Sequence, residues 1–231
     1  MTSTIEKLKH ITTGTITTML LKKGIRHCWM AGAMPLGVAG KRVVGPAFTL
    51  RFVPVREDLA TPESWMKPIS TRGAIEAMPP DCVVVADAMG VTGAGIFGDI
   101  LCMRMVKRGV TALITDGVMR DKHGVVATGL PVWCAGMAAP ASVNLLTFVG
   151  WNEPIACGGC AIFPGDIIVA DDDGAVVIPK DLADFVAAEG AEHELLESWL
   201  VQEVEKGEQL LGLYPPNEEN KKRYQDWKKS R

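Results

Sequence analysis

The sequence predicts an α/β fold, and three of its features lead to that prediction. Uniformly apolar runs at 82–87, 110–116 and 131–135 have the length and composition of strands that are buried in a sheet. Between the first two runs, residues 99–109 combine good helix formers with a closing glycine, which predicts a helix and a parallel strand–helix–strand unit. Residues 167–179 predict two more strands, joined at an Asp-Asp-Gly turn that is typical of a hairpin.

The remaining elements follow from local patterns. We expect short helices over 4–9, 16–23 and 70–78, a strand over 43–53 that Pro46 interrupts, a loop or lid over 56–68, and a long helix over 181–211. The sequence shows no internal repeat. We therefore predict one domain over 1–211, followed by a polar, basic tail over 212–231 that lies outside the core.

Composition narrows the classes of function. The chain has 231 residues, 48% of them hydrophobic and 22% charged, and this is enough for a sizeable core. Its net charge of −3 argues against binding to nucleic acid or to a membrane through bulk charge. No apolar stretch reaches the roughly 18 residues of a membrane span, and the N-terminus has charges where a signal peptide would be apolar. Six scattered cysteines fit a reducing compartment, so we expect a soluble cytoplasmic protein.

A glycine-rich loop follows the first buried strand. Gly93, Gly95 and Gly98 have the spacing of a dinucleotide-binding fingerprint, and Asp116 ends the next strand, where a ribose-binding acid would lie. Residues 88–92 separate the strand from the first glycine, however, and only one strand–helix–strand unit is evident, so a dinucleotide site is disfavoured. What remains is a loop that lets the backbone approach a ligand, with N–H groups at a helix start that favour an anion.

A pair of charged residues follows the second buried strand. After the Asp116-Gly117 turn, Arg120 and Asp121 stand side by side. Arginine can bind a carboxylate through two parallel hydrogen bonds, and a carboxylate can hold a hard divalent cation through oxygen and water. An isolated pair of this kind is usually a surface ion pair. Here both the pair and the glycine loop follow the C-terminal ends of parallel strands, which is the edge where ligands bind in α/β sheets.

Two other motifs carry weaker signals. Cys157 and Cys160 form a CxxC, but there is no second Cys or His pair at the spacing of a zinc site, so neither a metal nor a redox role is favoured. His123 follows the Arg-Asp pair and could carry a proton, although a single histidine near a turn is more often simply solvated. Motifs of the common serine hydrolases, zinc proteases and P-loop NTPases are lacking.

Asp99, followed after twenty residues by Arg120-Asp121, resembles the D-x20-R-D signature of the class II pyruvate aldolases related to 4-hydroxy-4-methyl-2-oxoglutarate aldolase. These enzymes share their fold with the regulator of ribonuclease activity A, and both belong to the RraA-like proteins. The resemblance extends over most of the chain, in five ordered segments at 43–49, 74–87, 98–121, 130–136 and 157–179.

The resemblance implies a single swivelling β/β/α domain with a C-terminal helical extension, assembled as a homotrimer or hexamer, and a divalent metal, Mg²⁺ or Mn²⁺. Arg120 would hold the carboxylate of a small 2-oxo acid, and Asp121 would anchor the metal, largely with water completing its shell. Asp99 would hydrogen-bond a metal-bound or catalytic water. The same substrate carboxylate would meet backbone N–H groups at the start of the helix, around Gly98, Ile100 and Leu101.

The implied function is cleavage of a 4-hydroxy-2-oxo diacid to pyruvate through its enolate, with oxaloacetate decarboxylation as a side activity. Two alternatives stay open: a lyase that uses the same site on sugar acids, and a non-catalytic regulator that binds a ribonuclease. Relatives of the second kind generally lack the Arg-Asp pair. In the family, an acid from the C-terminal helix of a neighbouring subunit can complete the site, and the sequence does not choose among Glu194, Glu197, Glu203 and Glu205.

Overall fold

A nearly closed sheet forms the centre of the computed structural model, which describes residues 2–37 and 39–230. The strands are β1 (Met34–Pro35), β2 (Val43–Pro54), β3 (Val83–Asp87), β4 (Ala112–Thr115), β5 (Val118–Met119), β6 (Val132–Cys134), β7 (Gly136–Met137), β8 (Leu146–Trp151), β9 (Ile155–Cys157), β10 (Cys160–Ile162), β11 (Ile167–Asp171) and β12 (Gly174–Ile178). The helices are α1 (Thr2–Leu8), α2 (Thr13–Lys22), α3 (Thr71–Ala77), α4 (Asp99–Lys107), α5 (Lys122–Ala127), α6 (Ala183–Glu205) and α7 (Glu218–Lys229). Short 3-10 helices span Pro62–Met66, Ser142–Asn144 and Lys180–Leu182.

The main sheet has the order β1-β6-β4-β3-β2-β11-β12, with β8 on the second half of β2. Trp29, just before β1, forms a bridge with Val176 of β12, and this contact brings the two ends of the sheet together. Strands β2, β3, β4 and β6 are parallel neighbours, so their C-terminal ends share one edge. The predicted α/β class, the parallel unit β3–α4–β4 and the β11–β12 hairpin are confirmed.

Both faces of the sheet are covered, which explains the uniformly apolar strands. In β3, Val83 and Val85 join a core under α1, α2 and α6, whereas Val84 and Ala86 join a second core under α3, α4 and α5. Burying both faces leaves no position for alternating polar residues, and the pattern of β3 follows from this.

Strand β2 corrects one sequence-based expectation. We predicted that Pro46 would interrupt it, but the strand continues from Val43 to Pro54. Pro46 is opposite Ile167, at the last position of the pairing with β11, and the pairing with β3 begins at Ala47. A proline is tolerated here because the hydrogen-bonding partner changes at this residue, so its missing N–H interrupts no continuous ladder.

The C-terminal helical extension is confirmed, with different boundaries. Helix α6 ends at Glu205 rather than at 211, and Gly207, with φ +95°, lets the chain turn away. Residues 212–231 were expected to form a polar tail, but the described part contains helix α7, which packs on α6. Tyr224 of α7 is 4% exposed and lies in a small separate core with Trp199. No helix in the described ranges is long and apolar enough to cross a bilayer.

Candidate active site

A cleft of about 330 Å³ lies where the loop after β3 meets the turn after β5. All six residues predicted from the sequence as site residues line it, namely Gly98, Asp99, Ile100, Leu101, Arg120 and Asp121. Its size falls in the lower part of the usual range for small-molecule sites. The structure thus brings the predicted residues together at the expected edge of the sheet, while their chemical roles remain predictions.

Arg120 is positioned by close packing of two backbone segments. Its N–H donates to the carbonyl oxygen of Phe97 at 3.0 Å, which ties the turn after β5 to the loop before α4. A Cβ at Gly95 would lie 2.9 Å from both the Cβ and the backbone nitrogen of Arg120. A side chain at position 95 would therefore separate the segments, and this close approach explains one glycine of the loop.

Asp121 adopts a backbone conformation that is uncommon outside glycine. Its φ of +56° lies in the left-handed region, and the residue caps the start of α5. A Cβ at Gly98 would overlap the Asp121 Oδ2 atom, so only glycine at position 98 leaves room for the carboxylate. Arg120 Nε donates to the same Oδ2 at 3.1 Å. The Asp121 side chain is still 44% exposed, so its carboxylate remains accessible to a ligand in the cleft.

Asp99 is the first residue of α4, and its carboxylate fits between two backbone groups. Oδ1 accepts a hydrogen bond from the Ile100 N–H at 2.7 Å, so this N–H, which we expected to meet a substrate carboxylate, is engaged within the chain. A Cβ at Gly124 in α5 would lie 2.5 Å from Asp99 Oδ2 and 2.7 Å from Asp99 Cβ. The start of α4 and the first turn of α5 are therefore in close contact at this carboxylate.

The sequence did not identify two further residues of the cleft, Trp65 and Arg72. Trp65 lies in the 3-10 helix Pro62–Met66, inside the segment that was predicted as a loop or lid, and Arg72 is in the first turn of α3. The guanidinium carbon of Arg72 lies 4.8 Å from the centre of the Trp65 ring, a cation–π contact. Composition indicated a lid here, but no local pattern could indicate which of its side chains faces the cleft.

The acid that the dinucleotide fingerprint would use has another role. The Asp116 carboxylate accepts hydrogen bonds from the N–H groups of Ala88 at 2.8 Å, Gly90 at 3.1 Å and Gly158 at 3.1 Å. Asp116 thereby fixes two loops. Together with the close packing at Gly95 and Gly98, this gives three of the four fingerprint residues a structural explanation.

The CxxC cysteines are buried opposite one another in the β9–β10 hairpin. Burial raises the pKa of the Cys160 thiol to about 11, and it raises the pKa of Cys157 well above its usual value. Metal ligation and redox chemistry both use the thiolate, which such an environment opposes. Among residues 2–37 and 39–230, no three His, Cys, Asp or Glu side chains form a cluster that could hold a metal by themselves.

The donors of the cleft fit one kind of metal site. Mg²⁺ and similar hard cations are commonly held by one or two carboxylates, with water and substrate oxygens as the other ligands. Asp121 offers a carboxylate that is accessible from the cleft, and Asp99 lines the same cleft. The residues present therefore fit a hydrated divalent cation rather than one enclosed by protein ligands.

Three of the four C-terminal acids considered from the sequence have partners within this chain. Glu194 accepts hydrogen bonds from the N–H and the hydroxyl of Thr12 at 2.7 and 2.8 Å. Glu203 is buried and pairs with Arg223. Glu197 is partly exposed, and its carboxylate lies 3.3 Å from His193 Nε2. Glu205 is exposed, so it is the most accessible of the four to a neighbouring subunit.

Comparison with known proteins agrees with this picture. A family model described as "RraA-like: Aldolase/RraA" matches residues 6–177. A Halalkalibacterium halodurans protein named "Putative 4-hydroxy-4-methyl-2-oxoglutarate aldolase" is 38% identical over 140 residues, which are 60% of each chain. Legionella pneumophila "Protein DlpA" is 30% identical over 142 residues, 62% of this chain but 22% of that protein. The chain thus spans less than two thirds of the length of these two relatives.

A solved structure covers more of the chain. RraAS2 of Streptomyces coelicolor, described as an unusual member of the RNase ES inhibitor RraA protein family, is 34% identical with a TM-score of 0.77, over 85% of this chain and 94% of that one. The family match and this structural likeness agree on the fold, and the matched residues 6–177 include those that line the cleft. The chain belongs to the RraA-like (Aldolase/RraA) family.

Proposed function

We propose that the protein is a divalent-metal-dependent carbon–carbon lyase that cleaves a 4-hydroxy-2-oxo diacid, of the 4-hydroxy-4-methyl-2-oxoglutarate type, to pyruvate. Oxaloacetate decarboxylation is its side reaction. The observation that carries the proposal is the meeting of Arg120, Asp121 and Asp99 in one cleft at the start of α4. This combination supplies an anion clamp, a ligand for a hard cation and a carboxylate that can orient water.

Arg120 binds the substrate through the carboxylate next to its 2-oxo group. Its backbone is fixed by the bond to Phe97, and its side chain is 39% exposed to the cleft. The planar guanidinium can meet the carboxylate with parallel hydrogen bonds, which sets the orientation of the bond to be cleaved. When bound by Asp121, a cation such as Mg²⁺ or Mn²⁺ supplies Lewis-acid stabilisation of the charge that develops on the 2-oxo oxygen.

Asp99 orients a water molecule that accepts the proton of the 4-hydroxyl group. The hydrogen bond from Ile100 and the contact with Gly124 hold its carboxylate at the edge of the cleft. As the water accepts the hydroxyl proton, the C3–C4 bond breaks and C4 becomes a carbonyl carbon. The electron pair of that bond forms the enolate of pyruvate, which a proton at C3 converts to pyruvate.

The test is release of pyruvate from 4-hydroxy-4-methyl-2-oxoglutarate and from oxaloacetate, with Mg²⁺, with Mn²⁺ and with EDTA. Asp121→Ala should lose nearly all turnover and the response to metal yet stay folded, because Asp121 is on an exposed turn. Its Tm should fall by only a few degrees, since alanine at a φ of +56° costs about 1 kcal/mol. Asp226→Ala is the matched control, since this aspartate is also exposed but lies on α7. Failure of the wild-type protein to exceed the metal-only rate on both substrates would refute the proposal.

One observation favours a second candidate, a regulator that binds a ribonuclease. RraAS2, the solved structure described above, is assigned by its description to a family of RNase ES inhibitors. Retention of ribonuclease by the immobilised protein at physiological salt, together with slower RNA cleavage, would support this role. If Asp121→Ala keeps both properties, the regulatory role is independent of the lyase reaction.

The proposed assembly is a homotrimer or hexamer. An apolar groove on α6 supports association with further copies of the chain, because Val201, Leu210 and Tyr214 are all more than half exposed there. Light scattering on the purified protein measures the mass directly.

A further inference from the structure

The cleft contains a second arginine whose charge has no acidic partner. Arg72 is partly buried in the wall of the cleft that also holds Arg120. Throughout residues 2–37 and 39–230, no carboxylate lies within ion-pair distance of Arg72. Arg56, by contrast, pairs with Asp58 at 2.8 Å. A guanidinium that is unpaired inside a cleft is a natural receptor for an anion.

The acid best placed to neutralise Arg72 is engaged elsewhere. Glu76 follows Arg72 by four residues on α3, the spacing at which oppositely charged side chains meet on a helix. Arg104 of α4 takes both of its carboxylate oxygens, at 2.8 and 2.7 Å. This bidentate pair leaves the charge of Arg72 uncompensated.

Trp65 restricts the Arg72 side chain without using its charge in an ion pair. The cation–π contact at 4.8 Å holds the guanidinium over the indole ring. None of the hydrogen bonds of the described chain uses an N–H donor of the Arg72 guanidinium, so its five donors are available to a ligand. Because the arginine side chain is already restricted before binding, less conformational entropy is lost when the ligand binds.

We propose that Arg72, positioned by Trp65, binds the distal carboxylate of the substrate, while Arg120 binds the carboxylate next to the 2-oxo group. This inference rests on the proposed function, and it makes Arg72 the residue that selects dicarboxylates over 2-oxo acids with a neutral distal end. Selection arises because a monoacid leaves the partly desolvated guanidinium without an anion.

Two pairs of ligands test the assignment. For catalysis, 4-hydroxy-4-methyl-2-oxoglutarate is compared with 4-hydroxy-2-oxopentanoate, which lacks the distal carboxylate. For binding, calorimetry compares 2-oxoglutarate with 2-oxopentanoate in the presence of Mg²⁺, and this needs no turnover. Arg72→Met should reduce the diacid-to-monoacid ratio of kcat/KM, and the corresponding ratio of affinities, by about 10- to 100-fold, mainly through KM.

Three further variants separate charge, positioning and general effects. Arg72→Lys should restore part of the ratio, because it keeps the charge but loses the planar fork. Trp65→Leu should lower the ratio less than Arg72→Met, by about 3- to 10-fold, since it removes only the positioning ring. Arg56→Met is the control for loss of a cation from the same segment of chain, and its ratio should equal that of the wild type, because Arg56 is paired with Asp58 and lies outside the cleft.

The outcomes distinguish this inference from the proposed function. If the wild type releases pyruvate but Arg72→Met keeps both ratios within threefold of the wild type, the assignment of Arg72 is wrong and the lyase stands. If the wild type releases no pyruvate but binds 2-oxoglutarate more tightly than 2-oxopentanoate in an Arg72-dependent way, the assignment stands and the lyase is wrong. Equal wild-type affinities for the two binding ligands would overturn the assignment directly.

Discussion

Substituting Gly124 by alanine should damage the site while leaving the protein stable. The new Cβ would lie 2.7 Å from the Cβ of Asp99, about 0.7 Å closer than the 3.4 Å of an ordinary contact. Rotation of the carboxylate cannot relieve this contact, because the Asp99 Cβ is attached to the first backbone unit of α4. The start of α4 and the first turn of α5 must move apart, and a misplacement of about 1 Å at a reacting group can cost roughly 100-fold in rate. We expect kcat/KM for pyruvate release to fall by about 10- to 100-fold.

The effect on stability should be small because two contributions have opposite signs. Alanine is favoured over glycine in a helix by about 1 kcal/mol, which offsets part of the roughly 1–3 kcal/mol that such overpacking costs. The net loss is then at most about 2 kcal/mol, which for a domain of this size corresponds to a fall in Tm of no more than about 8 °C by calorimetry. Gly14→Ala in α2 is the matched control, because its Cβ would meet only the Thr12 hydroxyl oxygen, at 3.9 Å. A Gly124→Ala protein with wild-type kcat/KM would refute the role given to Asp99.

Two further predictions concern the charged groups of the site and of the C-terminal extension. Arg120→Lys should lower kcat/KM for oxaloacetate by about 10- to 100-fold, because an ammonium group cannot make the two parallel bonds; near-wild-type activity on all 2-oxo acids would exclude the clamp. The Lys228 ammonium, and to a lesser extent the Tyr224 hydroxyl, hold the pKa of Glu192 below its usual value. The ion pair of Glu192 and Lys228 therefore stabilises the docking of α7 above about pH 4.5. This contribution is lost as the pH falls through the lower pKa that Glu192 has in the folded protein. Tryptophan fluorescence of α6 and α7 during acid titration measures this loss, and the low-pH change should be smaller in Lys228→Met.

The sequence predicted the parts of the fold whose signals are local. The β3–α4–β4 unit was found because burial on both faces makes its strands uniformly apolar, and because Gly109 ends the helix region. The hairpin of β11 and β12 was found from its turn residues. The continuous strand β2 was missed, since Pro46 is acceptable only because the pairing partner changes there. The change of pairing partner depends on segments that are distant in the sequence, so no local pattern around Pro46 indicates it.

The residues of the candidate site also divide into those that have a local sequence signal and those that do not. Asp99, Arg120 and Asp121 could be identified because they follow strand ends and match a family signature. Trp65 and Arg72 could not, because their significance depends on contacts between distant segments. The decisive fact about Arg72 is that its nearest acid along α3 pairs with an arginine of α4, and nothing in the local sequence of α3 reveals this.

The spacing of twenty residues between Asp99 and Arg120 has a geometric basis in this fold. Helix α4 has nine residues and runs about 13 Å away from the sheet edge at 1.5 Å per residue. Strand β4 has four residues and returns about 13 Å at roughly 3.3 Å per residue. Because the outward and return lengths match, the chain arrives back at the edge from which it left, and residues 116–119 then bring Arg120 beside Gly95. The twenty-residue spacing therefore corresponds to one helix leading away from the sheet edge and one strand leading back to it. At the edge, Gly95 allows the two backbone segments to touch, and Gly98 leaves room for the Asp121 carboxylate. A sequence that matched the spacing but had a larger residue at position 95 would lose this close approach of the two segments.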